Sequence, residues 1–281
     1  MKISVIQNVW KRNPYIAETI EYNLLALEEA GVDYQYIIFN DKGDKEIYED
    51  VQSVIGDNPK VLYHYSDVNF GDGKCTGGWL GAVPLLEGDI VHNTGQDDVF
   101  VADFYRKAVL AFQDDDVMFF TCNGYQVNEE LENHNPILDP RARLDYSNPH
   151  ARFREWFGIS DQGVDPWFQT SIPKNEVTRA NNMISAPGTL YRKSLHDTIG
   201  TPSPDEFCGT CDFEYWARIL FYKNRGLYDS EPLWLYRISE YSHHQEATSD
   251  KFEATEDHRP PYMEKIKQKY KKLWEKEVMQ L

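Results

Sequence analysis

Ile3, Val5 and Ile6 open the chain as a short apolar run broken only by Ser4, a pattern that predicts a buried strand over 3–6. A polar break at Gln7 and Asn8 follows. Ile16, Ile20, Leu24 and Leu27 then recur at helical spacing, so 14–30 reads as a helix with one apolar face. Pro14 stands where a first-turn proline is tolerated, and Gly31 supplies the stop. A branched, alternating run over 34–39 predicts a second strand, ending in the turn-rich tip Asn40, Asp41, Lys42, Gly43, Asp44. Strand, helix and strand in this order imply a parallel pair with a right-handed crossover. The alternation continues with a helix over 46–55 and a strand over 61–65. A glycine-rich stretch, 71–81, leads into a short helix, and a strand over 89–93 runs into Thr94, Gly95, Gln96, Asp97 and Asp98. Next come a helix over 101–112 and a strand over 117–121.

Periodicity fades between 128 and 175, where Pro, Asn, Asp and Trp predict loops and short helices. Beyond it, 181–191 reads as strand, 212–221 as helix and 227–237 as an alternating strand. The stretch 239–261 is expected to be mobile, and 263–281 to form an amphipathic helix. The pattern divides into a first half over 1–115, a second half over 116–245, and a tail over 246–281. The fold class is α/β, a mixed sheet flanked by helices in one domain with a C-terminal helical extension.

Composition narrows the function. The formal net charge of −17 repels phosphate backbones and disfavours plain electrostatic binding of nucleic acid. No run approaches the length of a membrane span, and the start does not read as a signal peptide, so a cytoplasmic location is expected. Cys75, Cys122, Cys208 and Cys211 are too sparse for a disulfide scaffold. The Cys208–Cys211 spacing is half a zinc site without a second half, so free thiols are the simpler reading.

In an open parallel sheet, ligands lie beyond the carboxyl ends of the strands. Here those ends carry Asn8 and Trp10 after the first strand, Asp41 after the second, and Asp97 and Asp98 after the fourth. An aromatic ring stacks a base, a carboxylate accepts its N–H, and two further carboxylates suit a hard cation facing a diphosphate. Any one of them alone reads equally well as a helix cap or as core packing. Asp114 and Asp116 make a competing acidic pair, but between a helix and a strand, at the wrong end of the sheet, where a solvated turn is expected.

Taken in order, these segments resemble the family 2 glycosyltransferases of the GT-A, nucleotide-diphospho-sugar transferase fold. Residues 3–6 with 14–20 resemble that family's opening strand and helix. Asn40-Asp41 resembles its acidic pair after the second strand, and 88–91 leading to Gln96-Asp97-Asp98 resembles its strand into the DxD site. Residues 181–200, with Tyr191-Arg192-Lys193-Ser194-Leu195, resemble the strand-and-arginine segment before the catalytic helix, and 211–218 the segment bearing the catalytic base. Tyr236-Arg237, with His243 and His244 beyond, resembles the closing basic segment. The match runs from about residue 3 to 245. There are departures. Asn8 and Trp10 stand where the family usually has proline and tyrosine, Gly95 replaces the first acid of DxD, and no Ala-Arg-Asn segment precedes it.

The resemblance implies an inverting, single-displacement transfer of a glucose-type sugar from a UDP-sugar to an acceptor hydroxyl. Asp212 matches the base position, with Glu214 in reserve. Asn8, Trp10, Asp41, Gln96, Asp97 and Arg237 would bind the donor. Asp97, Asp98, His243 and His244 would hold Mn²⁺ or Mg²⁺, and Arg237, His243 and His244 would close over the diphosphate. The faded middle region, with Trp156, Phe157, Trp167 and Phe168, would shape the acceptor site. A saccharide is the leading acceptor. The lysine-rich C-terminal helix keeps open a phage-type enzyme acting on glucosylated DNA bases, and activity that falls with salt would mark it. Two further readings remain. Gly95 suits a non-catalytic nucleotide-sugar binder, and nucleotidyl transfer would want a glycine-rich loop that 7–14 lacks.

Overall fold

The computed structural model describes residues 1–70, 77–137, 145–149, 151, 159–160, 163–164, 184–202, 211–241, 268–270, 272–273 and 276. The first half alternates as its periodicity predicts: β1 (Lys2–Val9), α1 (Ile16–Ala30), β2 (Asp33–Asn40), α2 (Ile47–Ile55) and β3 (Val61–Tyr65). Gly31 ends α1 with φ at 68°, a left-handed conformation that glycine adopts without a Cβ penalty. A short α3 (Gly77–Gly81) and a 3₁₀ turn precede β4 (Ile90–Thr94). Then follow β5 (Val99–Phe100), α4 (Ala102–Ala111), β6 (Val117–Val127), β7 (Asn135–Pro136), the two-strand hairpin β8 (Ile159–Ser160) and β9 (Gly163–Val164), β10 (Thr189–Arg192), α5 (Leu195–Ile199), α6 (Cys211–Phe221) and β11 (Arg225–Arg237).

One nine-stranded sheet runs in the order β3-β2-β1-β4-β10-β6-β11-β5, with β7 added beside β6. β10 is antiparallel to both β4 and β6, while β1 is parallel to β2 and β4. The sheet is therefore mixed, as expected. The chain winds outward from β1 through β2 to β3, then returns to the far side of β1 as β4. That reversal opens a crevice at the carboxyl end of β1, between the ends of β2 and β4.

Alternation along β1 sorts the two layers. Ile3, Val5 and Val9 pack with Ile16, Ile20, Leu24 and Leu27 of α1. Ile6 faces the opposite side, with Trp79, Tyr191 and Trp216. β6 and β11 extend beyond the predicted spans because they pair with each other, through register shifts on either side of Pro232. A proline inside a strand is accommodated at such an irregularity. Tyr270 and Leu273 of the predicted C-terminal helix pack into the α6 layer. Among the described residues, no helix is long and apolar enough to cross a membrane. The predicted mobile stretch lies mostly outside the described residues, as does much of the region expected to shape an acceptor site.

Candidate active site

β1 supplies the floor of the crevice. Asn8 Nδ2 donates to Asn93 Oδ1 at 2.7 Å and to the Thr94 carbonyl at 2.9 Å, tying the ends of β1 and β4 together. Trp10 reaches both flanks. Its carbonyl accepts the Asp44 N–H at 2.9 Å, and its own N–H lies 3.4 Å from Gln96 Oε1. On the β2 flank, Asn40 Oδ1 accepts the Gly43 N–H at 2.7 Å, and its Nδ2 donates to the Asp44 carbonyl and to Tyr63 Oη. These bonds press the turn onto β1 so closely that a Cβ at Gly43 would lie 1.7 Å from the Trp10 carbonyl oxygen. Asp41 is buried, with Oδ1 accepting the Phe70 N–H at 2.8 Å.

α3 lies over the same strand ends. A Cβ at Gly78 would meet Asn8 Oδ1 at 2.2 Å, and one at Gly81 would meet the Phe39 ring at 2.4 Å. Gly78 and Gly81 thus serve close approach of a helix to the crevice, a role the composition of the glycine-rich stretch did not assign to any residue.

The acidic turn after β4 explains the departure at Gly95. Asp98 folds back so that Oδ2 accepts the Gly95 N–H at 3.0 Å and faces Thr94 Oγ1 at 3.4 Å. A Cβ at 95 would sit 2.9 Å from that oxygen, so the space beside Gly95 belongs to the Asp98 carboxylate. Burial, and then the charge of Asp97, pushes the Asp98 carboxyl well above the usual carboxylate range. Asp97 is itself largely buried next to it.

Arg237 sits elsewhere than at the mouth. It is fully enclosed, with Nη2 donating to Glu18 Oε2 and Nη1 to the Glu129 carbonyl, both at 2.9 Å. Its guanidinium stacks 4.4 Å above the Tyr15 ring. Where Arg237 was expected to close over a diphosphate, the structure holds it as a buried charge bonded to Glu18, which acts on Asp98 by lowering its pKa.

α6 shares a layer with α3. Trp79 of α3 packs edge-on to Tyr215 with centroids 5.4 Å apart, and its Nε1 donates to Tyr191 Oη at 2.8 Å. Asp212 is partly exposed in the first turn of α6. Glu214, two residues on, faces another side. It is fully buried and accepts from Arg218, from Tyr270 Oη at 2.7 Å and from Lys269 Nζ at 3.2 Å. Burial alone would raise its pKa, but the Arg218 bond and charge, with Tyr270 and Lys269, bring it below the usual value. Glu214 as reserve base is therefore corrected. A carboxylate enclosed and occupied by three partners has no opening to a substrate proton.

Asn8, Trp10, Asp41, Gln96, Asp97 and Asp98 thus gather at the ends of three adjacent strands. His243 and His244 lie outside the described residues, as do Trp156, Phe157, Trp167, Phe168 and Cys208. Asp114 and Asp116 lie in the exposed turn before β6, with Asp114 paired to Arg225 at 3.0 Å, as the solvated-turn reading expects. Among the described residues, no group of three or more His, Cys, Asp or Glu side chains clusters as a metal site. The residues that the patterns missed are Asn40, Gly43 and Gly78, which shape the crevice, and Tyr15, Glu18 and Asn23 on α1. Asn23 had a visible signal, a polar side chain adjoining the apolar stripe of a helix.

No protein-family profile matches the chain, and no curated protein matches it. Solved structures do. Staphylococcus aureus TarS, residues 1–349, superposes with a TM-score of 0.57 at 13% identity, over 84% of this chain and 60% of that one. The same TarS segment in complex with UDP-GlcNAc gives 0.56 at 16% identity over 87% and 61%, and in complex with UDP 0.55 at 14% over 85% and 61%. The chain spans about three-fifths of the length of these TarS structures. The switch-point crevice, the acidic turn after β4 and this likeness agree on the architecture: the chain has a GT-A fold, shared with TarS.

Proposed function

We propose that the chain is a glycosyltransferase that moves a hexose from a UDP-sugar to an acceptor hydroxyl with inversion. The observation that carries this reading is the meeting of Asp41, Trp10 and Asp97 at one switch-point crevice, in a chain that superposes on TarS bound to UDP and to UDP-GlcNAc. Asp41 would accept from the base, Trp10 would stack on it, and Gln96 and Asp97 would face the diphosphate.

Asp97, backed by Asp98, would hold Mn²⁺ or Mg²⁺, which when bound supplies positive charge to the departing diphosphate. The residues fit such an ion. It takes one or two carboxylates and draws its other ligands from phosphate and water, and the like charges of the buried, adjacent Asp97 and Asp98 carboxylates favour a cation. Asp212 accepts the acceptor's hydroxyl proton as the new C–O bond forms and the bond to the diphosphate breaks, releasing UDP. Arg237 contributes a buried positive charge behind the acidic turn. The preferred acceptor is a saccharide, since the charge of −17 opposes a polyanion. A glucosylated DNA base is the alternative, betrayed by activity that falls steeply with salt.

The chemistry is tested by thermal-shift screening against UDP-sugars with and without Mn²⁺, followed by UDP release. Asp212→Asn should lower turnover by about 10²–10⁴-fold, the range for losing a general base, while UDP binding stays. Absence of stabilisation by every UDP- or GDP-sugar would remove the transferase reading. One observation favours a second reading, a non-catalytic nucleotide-sugar binder: the acidic turn offers two adjacent carboxylates, with glycine at 95. Binding without any UDP release in the unmodified protein would select it.

A further inference from the structure

We infer that Asn23, inside α1 and outside the crevice, is a positioning residue that holds the acidic turn from behind so that Asp97 is presented to the donor. The inference rests on the reading of Asp97 as the donor-side ligand.

Asn23 is fully buried at a position where the helix otherwise buries Ile16, Ile20, Leu24 and Leu27. An asparagine there costs helix propensity and forgoes apolar packing, so its side chain must be used. Its Nδ2 donates to the Asp98 carbonyl at 3.0 Å, and its Oδ1 accepts the Phe100 N–H at 3.0 Å. One planar amide thus satisfies a backbone acceptor and a backbone donor two residues apart, as a neighbouring strand would. The two bonds run in opposite directions, so a reversed amide would set donor against donor. Nδ2 also lies 3.5 Å from Tyr36 Oη, which donates to Gln7 Oε1 of β1. The amide is therefore held from its far side as well.

The turn is fixed at its other end by Asn8, which bonds the Thr94 carbonyl, and within by Asp98, which bonds Gly95. Residues 94 to 100 are thereby pinned at the start, the middle and the exit. Asp97 lies inside the Asp98–Gly95 closure, one residue before the Asp98 carbonyl that Asn23 clamps. Releasing the exit frees the backbone that aims it.

The test uses the full chain, with UDP titrated calorimetrically in the presence and absence of MnCl₂. Asn23→Ala and Asn23→Asp should each weaken Mn²⁺-dependent UDP binding about tenfold, the scale of one buried hydrogen bond, with metal-free UDP binding within about twofold of the unmodified protein. Asn23→Ser gives the same reading if either variant fails to fold. Ser4→Ala is the matched control. It removes a buried side chain bonded to Gln35 and Gly88 at the opposite end of β1, and should lower the melting temperature without changing the Mn²⁺ effect. Folded Asn23 variants that keep the full Mn²⁺ effect, or lose no more of it than Ser4→Ala, overturn the inference while the donor reading stands. Asp97→Asn should abolish the Mn²⁺ effect. If it does not, the donor reading of Asp97 falls, and the Asn23 inference falls with it.

Discussion

Two buried carboxylates, Asp98 and Glu214, are equally sealed from water and titrate in opposite directions. Glu214 joins α6 to the C-terminal segment through Arg218, Lys269 and Tyr270, and its pKa falls despite burial. Arg218 carries the same network further, donating to the Ile199 and Thr201 carbonyls at 2.9 and 3.0 Å. Asp98 has a backbone N–H and a threonine hydroxyl near it, but its immediate charged neighbour is another carboxylate, and its pKa rises. Burial penalises both ions; what separates them is that Arg218 bonds Glu214 directly, while Arg237 acts on Asp98 only as the last influence behind the charge of Asp97. Glu214 is complete as it stands. The Asp97–Asp98 turn is electrostatically unfinished, the condition in which a cation or a substrate's counter-charge adds most.

The contrast is tested most severely at Glu214. Glu214→Ala should cost about 3–5 kcal/mol of unfolding free energy, because it leaves the Arg218 guanidinium buried without its partner; urea denaturation measures it. A loss under about 1 kcal/mol would show that the network is not the structural junction described. Tyr270→Phe removes one hydrogen bond and leaves the ion pair intact, so about 1–2 kcal/mol is expected. It also asks whether the C-terminal segment is held by that bond or by the apolar contact of the ring with Phe221, whose centroid lies 5.4 Å away. Near-zero cost would assign the docking to packing.

The contrast also marks what the sequence could convey. Strands β1 to β4 and helices α1, α2 and α4 were legible because each buries a periodic face. The gathering of Asn8, Asp41 and Asp97 at one crevice followed from strand order and the switch-point rule. Glu214 and Arg237 were legible as charged residues in the right segments, but not as buried ones. Their partners Tyr270 and Glu18 lie 56 and 219 residues away, and no local pattern records a contact of that range. Gly95 looked like a lost acid until the position of Asp98 showed that the space was already filled. The short strands β5 and β7, of two residues each, are too brief for any periodicity to register.

A difference of slope with pH separates the two carboxylates by sign. Asp98 has a folded pKa raised to about 8 from 3.8, so its contribution to stability is complete below about pH 4 and is lost as pH rises towards 8. Glu214 has a folded pKa below 4.5, so its contribution is present above that value and is lost as pH falls through the folded pKa. In metal-free buffer, Asp98→Asn should therefore gain on the unmodified protein as pH rises between about 4 and 8, by at most about 1.4 kcal/mol per pH unit for one proton. An asparagine at 98 can still accept the Gly95 N–H through Oδ1, so the turn keeps its closure while the charge conflict with Asp97 disappears. Urea midpoints at successive pH values read the difference directly. If the two proteins run parallel from pH 4 to pH 8, Asp98 ionises normally in the folded state, and the acidic turn holds no unmet demand for positive charge.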